Sequence, residues 1–317
     1  MAKMDHEVLM SDEEPVCGLW QRFVQAALIL FTAIAAILLA RYLLRTTPDS
    51  LQQQVHSLTQ QVEELQQEQA MPSLVLNRYR NSICYIFGIY DVGFPHQAPL
   101  QRTRISGTGF VVADRLIATN RHVAEPWYGD PDSEALIAKG ASARLEKLVA
   151  YFPGSPAPVA LRPAALASDG DLAVVRLAQA SSLGLQPLPL AADKPDPGEL
   201  VAVVGYPMGV LGMMAKAPTP VYARLAFRHD DQGTASELAA LSLIRPSATC
   251  GHLGDVVGDK LIYDAPTAHG ASGGPVFNSR GEVVGVNAAY IDGFSGGTLG
   301  VSAQALKPLI EQAEREY

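Results

Sequence analysis

The run Gly270-Ala271-Ser272-Gly273-Gly274-Pro275 sets a serine between glycines, where the backbone can stay open beside a hydroxyl. That arrangement suits acyl transfer. The attacked carbonyl oxygen becomes an anion, and each backbone N–H aimed at it is worth roughly 2.7–4 kcal/mol. Gly270 and Ser272 are placed to supply two such N–H groups. A polar glycine turn of a β protein is the other reading of the same residues. Two further groups lie upstream, in the order His, Asp, Ser. His122 follows the apolar run Leu116-Ile117-Ala118-Thr119, and Asp171 precedes Leu172-Ala173-Val174-Val175. A neutral imidazole takes the proton of an attacking serine, and a carboxylate fixes the histidine tautomer and stabilises the imidazolium that forms. Each residue alone has an ordinary explanation, as a strand-end histidine or a turn-forming aspartate. Together His122, Asp171 and Ser272 make a candidate catalytic triad, with Gly270 and Ser272 as the oxyanion hole.

These residues need short strands to position them. Apolar runs recur between turn signals, with 27 glycines and 22 prolines in 317 residues, as an all-β domain requires. Leu116 to Ala124 reads as a buried strand running into a turn that carries His122, and Asp171 sits at the mouth of another strand. The formal charge of −8 argues against a nucleic-acid partner. No spacing of cysteine and histidine suits zinc, and no glycine-rich phosphate loop precedes a helix, so no metal or cofactor is expected.

The ordered set Gly107-Thr108-Gly109-Phe110-Val111-Val112, Ala118-Thr119-Asn120-Arg121-His122-Val123, Asp171-Leu172-Ala173-Val174-Val175, Val204-Gly205-Tyr206-Pro207-Met208-Gly209, Gly270 to Pro275 and Gly281 to Asn287 resembles the trypsin-like serine peptidases of bacteria. The resemblance is to the HtrA (Deg) branch of the chymotrypsin fold and covers roughly residues 80–312. It implies two six-stranded antiparallel β-barrels with the triad in the cleft between them, and protein or peptide substrates. The chain ends soon after Ala303 to Ile310, which reads as the closing helix, with no PDZ domain following.

In chymotrypsin-like enzymes that cut after Lys or Arg, an acid stands six residues before the serine; here that place holds Pro266. By resemblance the pocket walls are Pro266, Thr267, Val286, Asn287 and Ala288, small and largely apolar. The expectation is a small or medium aliphatic P1 residue. Asp264 is expected to cap a strand or bond nearby backbone.

The N-terminal part differs in kind. Phe23 to Leu44 is almost wholly apolar, with Arg41 as its one charge. At ~1.5 Å per residue it spans a hydrocarbon core of about 30 Å. A cleaved signal peptide competes with a retained single-pass anchor, but the acidic leader lacks a basic n-region. Lys3 and Arg22 on one side balance Arg41 and Arg45 on the other, so charge does not set the orientation. The resemblance suggests the bacterial cytoplasmic membrane, with the peptidase on its periplasmic or extracytoplasmic side.

Leu51, Val55, Leu58, Val62 and Leu65 alternate four and three apart, a heptad seam suited to a dimer, or to a trimer as HtrA-like enzymes often form. A solvated helical spacer reads equally well. The expected division is a tail over 1–22, a transmembrane helix over 23–44, a helical or coiled-coil linker over 45–71 and a peptidase domain over 72–317. An insertion near 211–246 is expected to carry a helix over Ala235 to Ile244. Cys84 and Cys250 are expected as buried thiols, with a disulfide between them the alternative. The function these readings imply is a membrane-anchored serine endopeptidase of protein quality control or regulatory proteolysis. The rival is a latent protease-fold binding module or membrane scaffold.

Overall fold

The computed structural model describes residues 17–179, 184–290 and 297–316. The chain forms two compact units, one up to Leu65 and one from Gln66. Helix α1 (Cys17–Tyr79) belongs to the first unit through Leu65. Its Trp20–Leu43 segment is 24 residues long with mean hydropathy 2.5, long and apolar enough to cross a membrane. Leu51, Val55, Leu58, Val62 and Leu65 are all half exposed or more.

In the second unit, strands β1 (Ile83–Gly93), β2 (Gln101–Ala113), β3 (Leu116–Thr119), β4 (Ser142–Tyr151), β5 (Val159–Leu166) and β6 (Ala173–Leu177) close a barrel in the order β1-β2-β3-β6-β5-β4. Strands β7 (Leu200–Gly205), β8 (Ser247–Val257), β9 (Lys260–Tyr263), β10 (Pro275–Phe277), β11 (Val283–Tyr290) and β12 (Thr298–Ser302) close the other, in the order β10-β11-β12-β9-β8-β7. Every pairing is antiparallel. Closure leaves neither barrel an unpaired edge.

Because side chains alternate across a strand, each strand feeds two cores. Cys84 and Ile86 of β1 join Val111, Ile117, Ala173 and Val175 in one cluster. Ile83, Tyr85 and Phe87 of the same strand join Val204, Tyr206, Phe277 and Val286 from the second barrel in another. The barrels are thus joined by continuous apolar packing. Met71, Val75 and Tyr79, in the last turns of α1, are buried in that joint cluster, and the Tyr79 ring stacks on Phe277 at 5.3 Å.

Short helices fill the connections: α2 (Arg121–Ala124) and α3 (Pro131–Ala138) in the first barrel, and α7 (Lys307–Arg315) at the end. Between β7 and β8 the chain forms α4 (Gly209–Ala215), α5 (Thr219–Leu225) and α6 (Asp231–Ala240). The inserted helix therefore begins four residues before the expected Ala235 and ends before Ile244. Ser242, at φ +56°, breaks it there. Cys84 is buried and Cys250 half-buried, and no disulfide joins them; burial holds the Cys84 thiol far above its ordinary pKa.

Candidate active site

The first barrel presents an acid–base pair. Strand β3 ends at buried Thr119, and Asn120, in extended conformation, caps α2 with its carbonyl accepting from the Val123 and Ala124 N–H groups at 3.2 Å each. Two residues after Asn120, the His122 ring meets Asp171 just before β6, with Nδ1 2.7 Å from Oδ2. The other carboxylate oxygen accepts the His122 backbone N–H at 2.9 Å, and Asn120 Nδ2 donates to the Asp171 carbonyl at 2.8 Å. Both oxygens of Asp171 are therefore spent on His122. A carboxylate on Nδ1 selects the tautomer that leaves a lone pair on Nε2.

The second barrel presents a turn built from peptide planes. Gly270 has φ +90° and Gly273 φ +86°, backbone conformations that β-carbons disfavour. A Cβ on Gly270 would stand 2.6 Å from the Tyr206 carbonyl, and one on Gly273 2.1 Å from the Thr108 carbonyl. The His269 carbonyl accepts from the Met208 N–H at 2.6 Å. In a trans peptide C=O and N–H point opposite ways, so the Gly270 N–H faces away from Met208. The Ala271 carbonyl accepts from the Gly274 N–H at 3.0 Å, which turns the Ser272 N–H outward in the same manner. Among the described residues neither the Gly270 nor the Ser272 N–H donates to a backbone carbonyl. The Ser272 hydroxyl donates to the Ala288 carbonyl at 2.9 Å rather than to His122.

Residues 107–286, which hold His122, Asp171 and the turn from Gly270 to Gly274, match the family model of the trypsin-like peptidase domain. The chain belongs to that family. A DegP-like periplasmic serine endoprotease of Chlamydia trachomatis is 28% identical over 206 residues, 65% of this chain, and the match spans only 32% of that relative's length. The Rv3671c protease from M. tuberculosis, in its active form, superposes with a TM-score of 0.51 at 17% identity, covering 77% of this chain and 86% of that one; that likeness is one of fold.

In this trypsin-like peptidase the remaining expected site residues fall into two groups. Asn287 is buried and accepts from the Tyr263 hydroxyl at 2.7 Å, while its Nδ2 donates to Thr267 Oγ1 at 3.4 Å. Ala288 adjoins Ser272, and Pro266 is exposed with its carbonyl accepting from Thr249 Oγ1 at 2.8 Å. Val286 lies elsewhere, its side chain wholly buried in the joint core. Asp264 accepts the His252 backbone N–H at 2.5 Å, the backbone role expected of it. A cavity of about 940 Å³ runs past Asp171, Ala288 and Ala289, walled by Leu299, Val301 and Leu309.

The insertion leans on the opposite barrel. Lys147 of β4 donates to Gln232 at 3.0 Å, Tyr151 meets Ser236 at 3.1 Å, and Arg104 of β2 pairs with Asp231 at 3.0 Å. Met213 and Met214 of α4 are buried, whereas Met208 is 61% exposed at φ +60°. What sequence reasoning passed over is backbone: the Met208 N–H and the Ala288 carbonyl leave no residue-type signature.

Proposed function

We propose that the protein is a membrane-anchored serine endopeptidase in which His122, Asp171 and Ser272 act as the triad and the N–H groups of Gly270 and Ser272 form the oxyanion hole. The observation that carries this reading is the doubly bonded His122–Asp171 pair in the same peptidase unit as a serine turn whose two N–H groups are turned outward. Ser272 Oγ first exchanges the Ala288 carbonyl for His122 Nε2, a step between staggered rotamers. His122 takes the hydroxyl proton as Oγ attacks the scissile carbonyl, and the two N–H groups hold the oxyanion. His122 then protonates the leaving amine, and water, activated by the same imidazole, hydrolyses the acyl-enzyme.

By resemblance the P1 pocket lies against Thr267 and Asn287, which with Tyr263 form a hydrogen-bonded cluster of uncharged side chains. This supports small or medium aliphatic residues at P1, with Pro266 and Ala288 beside them. Digestion of a peptide library tests it: cuts mainly after Lys, Arg or Glu overturn the assignment. The Trp20–Leu43 segment supports a single-pass anchor with the peptidase unit outside the bacterial cytoplasmic membrane, and the exposed seam from Leu51 to Leu65 supports pairing with further copies of the chain, as dimer or trimer. The resemblance to HtrA-like peptidases supports a role in protein quality control or regulatory proteolysis.

One observation favours a second reading, a latent peptidase fold kept for binding: the Ser272 hydroxyl rests on Ala288 rather than His122. Fluorophosphonate labelling of the intact membrane-bound protein separates the two. Labelling of the wild type that vanishes in Ser272→Ala and His122→Ala supports the working enzyme; a wild type that stays unlabelled supports latency.

A further inference from the structure

We infer that Thr108 is a positioning residue for the oxyanion turn, holding it from behind with its hydroxyl and its backbone N–H. Its hydroxyl donates to the Gly270 carbonyl at 2.7 Å and accepts from the Tyr206 N–H at 3.0 Å. Its backbone N–H donates to the Ser272 carbonyl at 2.8 Å. Its own carbonyl accepts from Thr119 Oγ1 at 2.7 Å, next to the Asn120 cap that sets His122. Thr108 is fully buried.

The significance lies in which peptides are held. Three successive peptide planes run from His269 to Ser272. The first is fixed by Met208, the third by Gly274, and the middle one, whose Ala271 N–H donates to the Ala268 carbonyl at 3.0 Å, carries the Gly270 carbonyl that Thr108 grips. The first and third supply the outward N–H groups, and the middle one fixes the angle between them. Because its single O–H donates to Gly270 while the oxygen accepts from Tyr206, the hydroxyl has no freedom to rotate. The Tyr206 ring is locked too, its O–H donating to the Ile83 carbonyl at 3.0 Å. A strand of the first barrel thereby sets the angle of a turn in the second.

This inference rests on the proposed roles of Gly270 and Ser272. Thr108→Val keeps the shape and removes the hydroxyl, leaving a buried carbonyl and a buried N–H unpaired. With a peptide substrate of aliphatic P1, kcat is expected to fall about 10- to 100-fold while KM stays within about twofold, because the loss acts on the transition state. Affinity for a peptide boronate should fall by a similar factor, and Thr108→Ser should restore most of both. Should the valine variant fail to fold, Thr108→Cys, a weak donor of near-equal size, carries the same expectation at a smaller fold-change. Unchanged kcat and boronate affinity in the folded variant, or no rescue by serine, overturns the assignment. Hydrogen exchange over residues 268–276 is read alongside. About tenfold faster exchange there, with the rest of the unit unchanged, is expected even if the wild type turns over no substrate, an outcome that would sink the serine-peptidase reading instead. Unaltered exchange overturns the positioning role.

Discussion

The two barrels hold their halves of the site by different means. In the first, one side chain grips another: Asp171 spends both oxygens on His122, and Asn120 ties the Asp171 backbone. In the second, beside the Ser272 hydroxyl, the groups on offer are peptide N–H bonds, and what aims them is mostly backbone geometry, from the positive φ of Gly270 to the carbonyls taken by the N–H groups of Met208 and Gly274, with one side chain, the Thr108 hydroxyl, on the Gly270 carbonyl. Side-chain pairs concentrate a function in a few atoms that substitution removes outright. A peptide turn spreads it over neighbours, each of which shifts an angle.

The sharpest break of this contrast is Asp171→Asn, which leaves the fold intact but takes the carboxylate from the imidazole. The wrong tautomer is expected to cost on the order of 10⁴ in kcat, measured with an aliphatic-P1 peptide; a loss under tenfold would remove Asp171 from the triad. Next comes Gly270→Ala. Its Cβ would collide with the Tyr206 carbonyl at 2.6 Å and strain the positive φ, so an N–H is lost and kcat should drop about 10²–10³-fold, with the His122–Asp171 pair untouched. Smaller still is Asn120→Ala, which frees one hydrogen bond to the Asp171 backbone and should lower kcat about tenfold. A loss as large as that of Asp171→Asn would mean that Asn120 acts on the substrate directly.

The last change probes neither half. Asp130 caps α3, accepting from the Ser133 N–H at 3.2 Å, and hydrogen bonds from Ser133 hold its carboxyl below the usual carboxylate range. Asp130→Ala should cost about 1 kcal/mol of stability at unchanged kcat. Because the folded pKa is the lower one, the contribution of this carboxylate is full above the unfolded value and fades as the pH falls through the folded value. Thermal melts of the two proteins should therefore converge in acid.

The same contrast explains what could be read from the chain. His122 and Asp171 announce themselves because each adjoins a buried apolar strand, and Ser272 because glycines flank it. The barrels follow from short apolar runs between turns. Thr108 stands in the open between Gly107 and Gly109, yet its partner carbonyl lies 162 positions away, beyond any local pattern. The insertion reads as a single helix because composition favours one, whereas Pro218 and Pro220 impose a fresh start at α5, and α6 begins early, where Asp231 and Gln232 find partners on the first barrel. Val286 shares β11 with Asn287 and Ala288, but its side chain lies in the joint core, and a register shift between Asn287 and Ala289 interrupts the strand's alternation just beyond it.

The stack of Tyr79 on Phe277 decides where the chain can be cut without opening the core of the peptidase unit. Met71, Val75 and Tyr79 are core residues of the catalytic unit although they stand at the end of the helix that begins at Cys17. A cut in the glutamine-rich stretch ahead of Met71 would leave a peptidase unit that keeps its own lid of helix. A cut after Tyr79 would strip that lid, bare the Phe277 ring two residues beyond the turn-closing Pro275, and release an enzyme prone to clump before it could act.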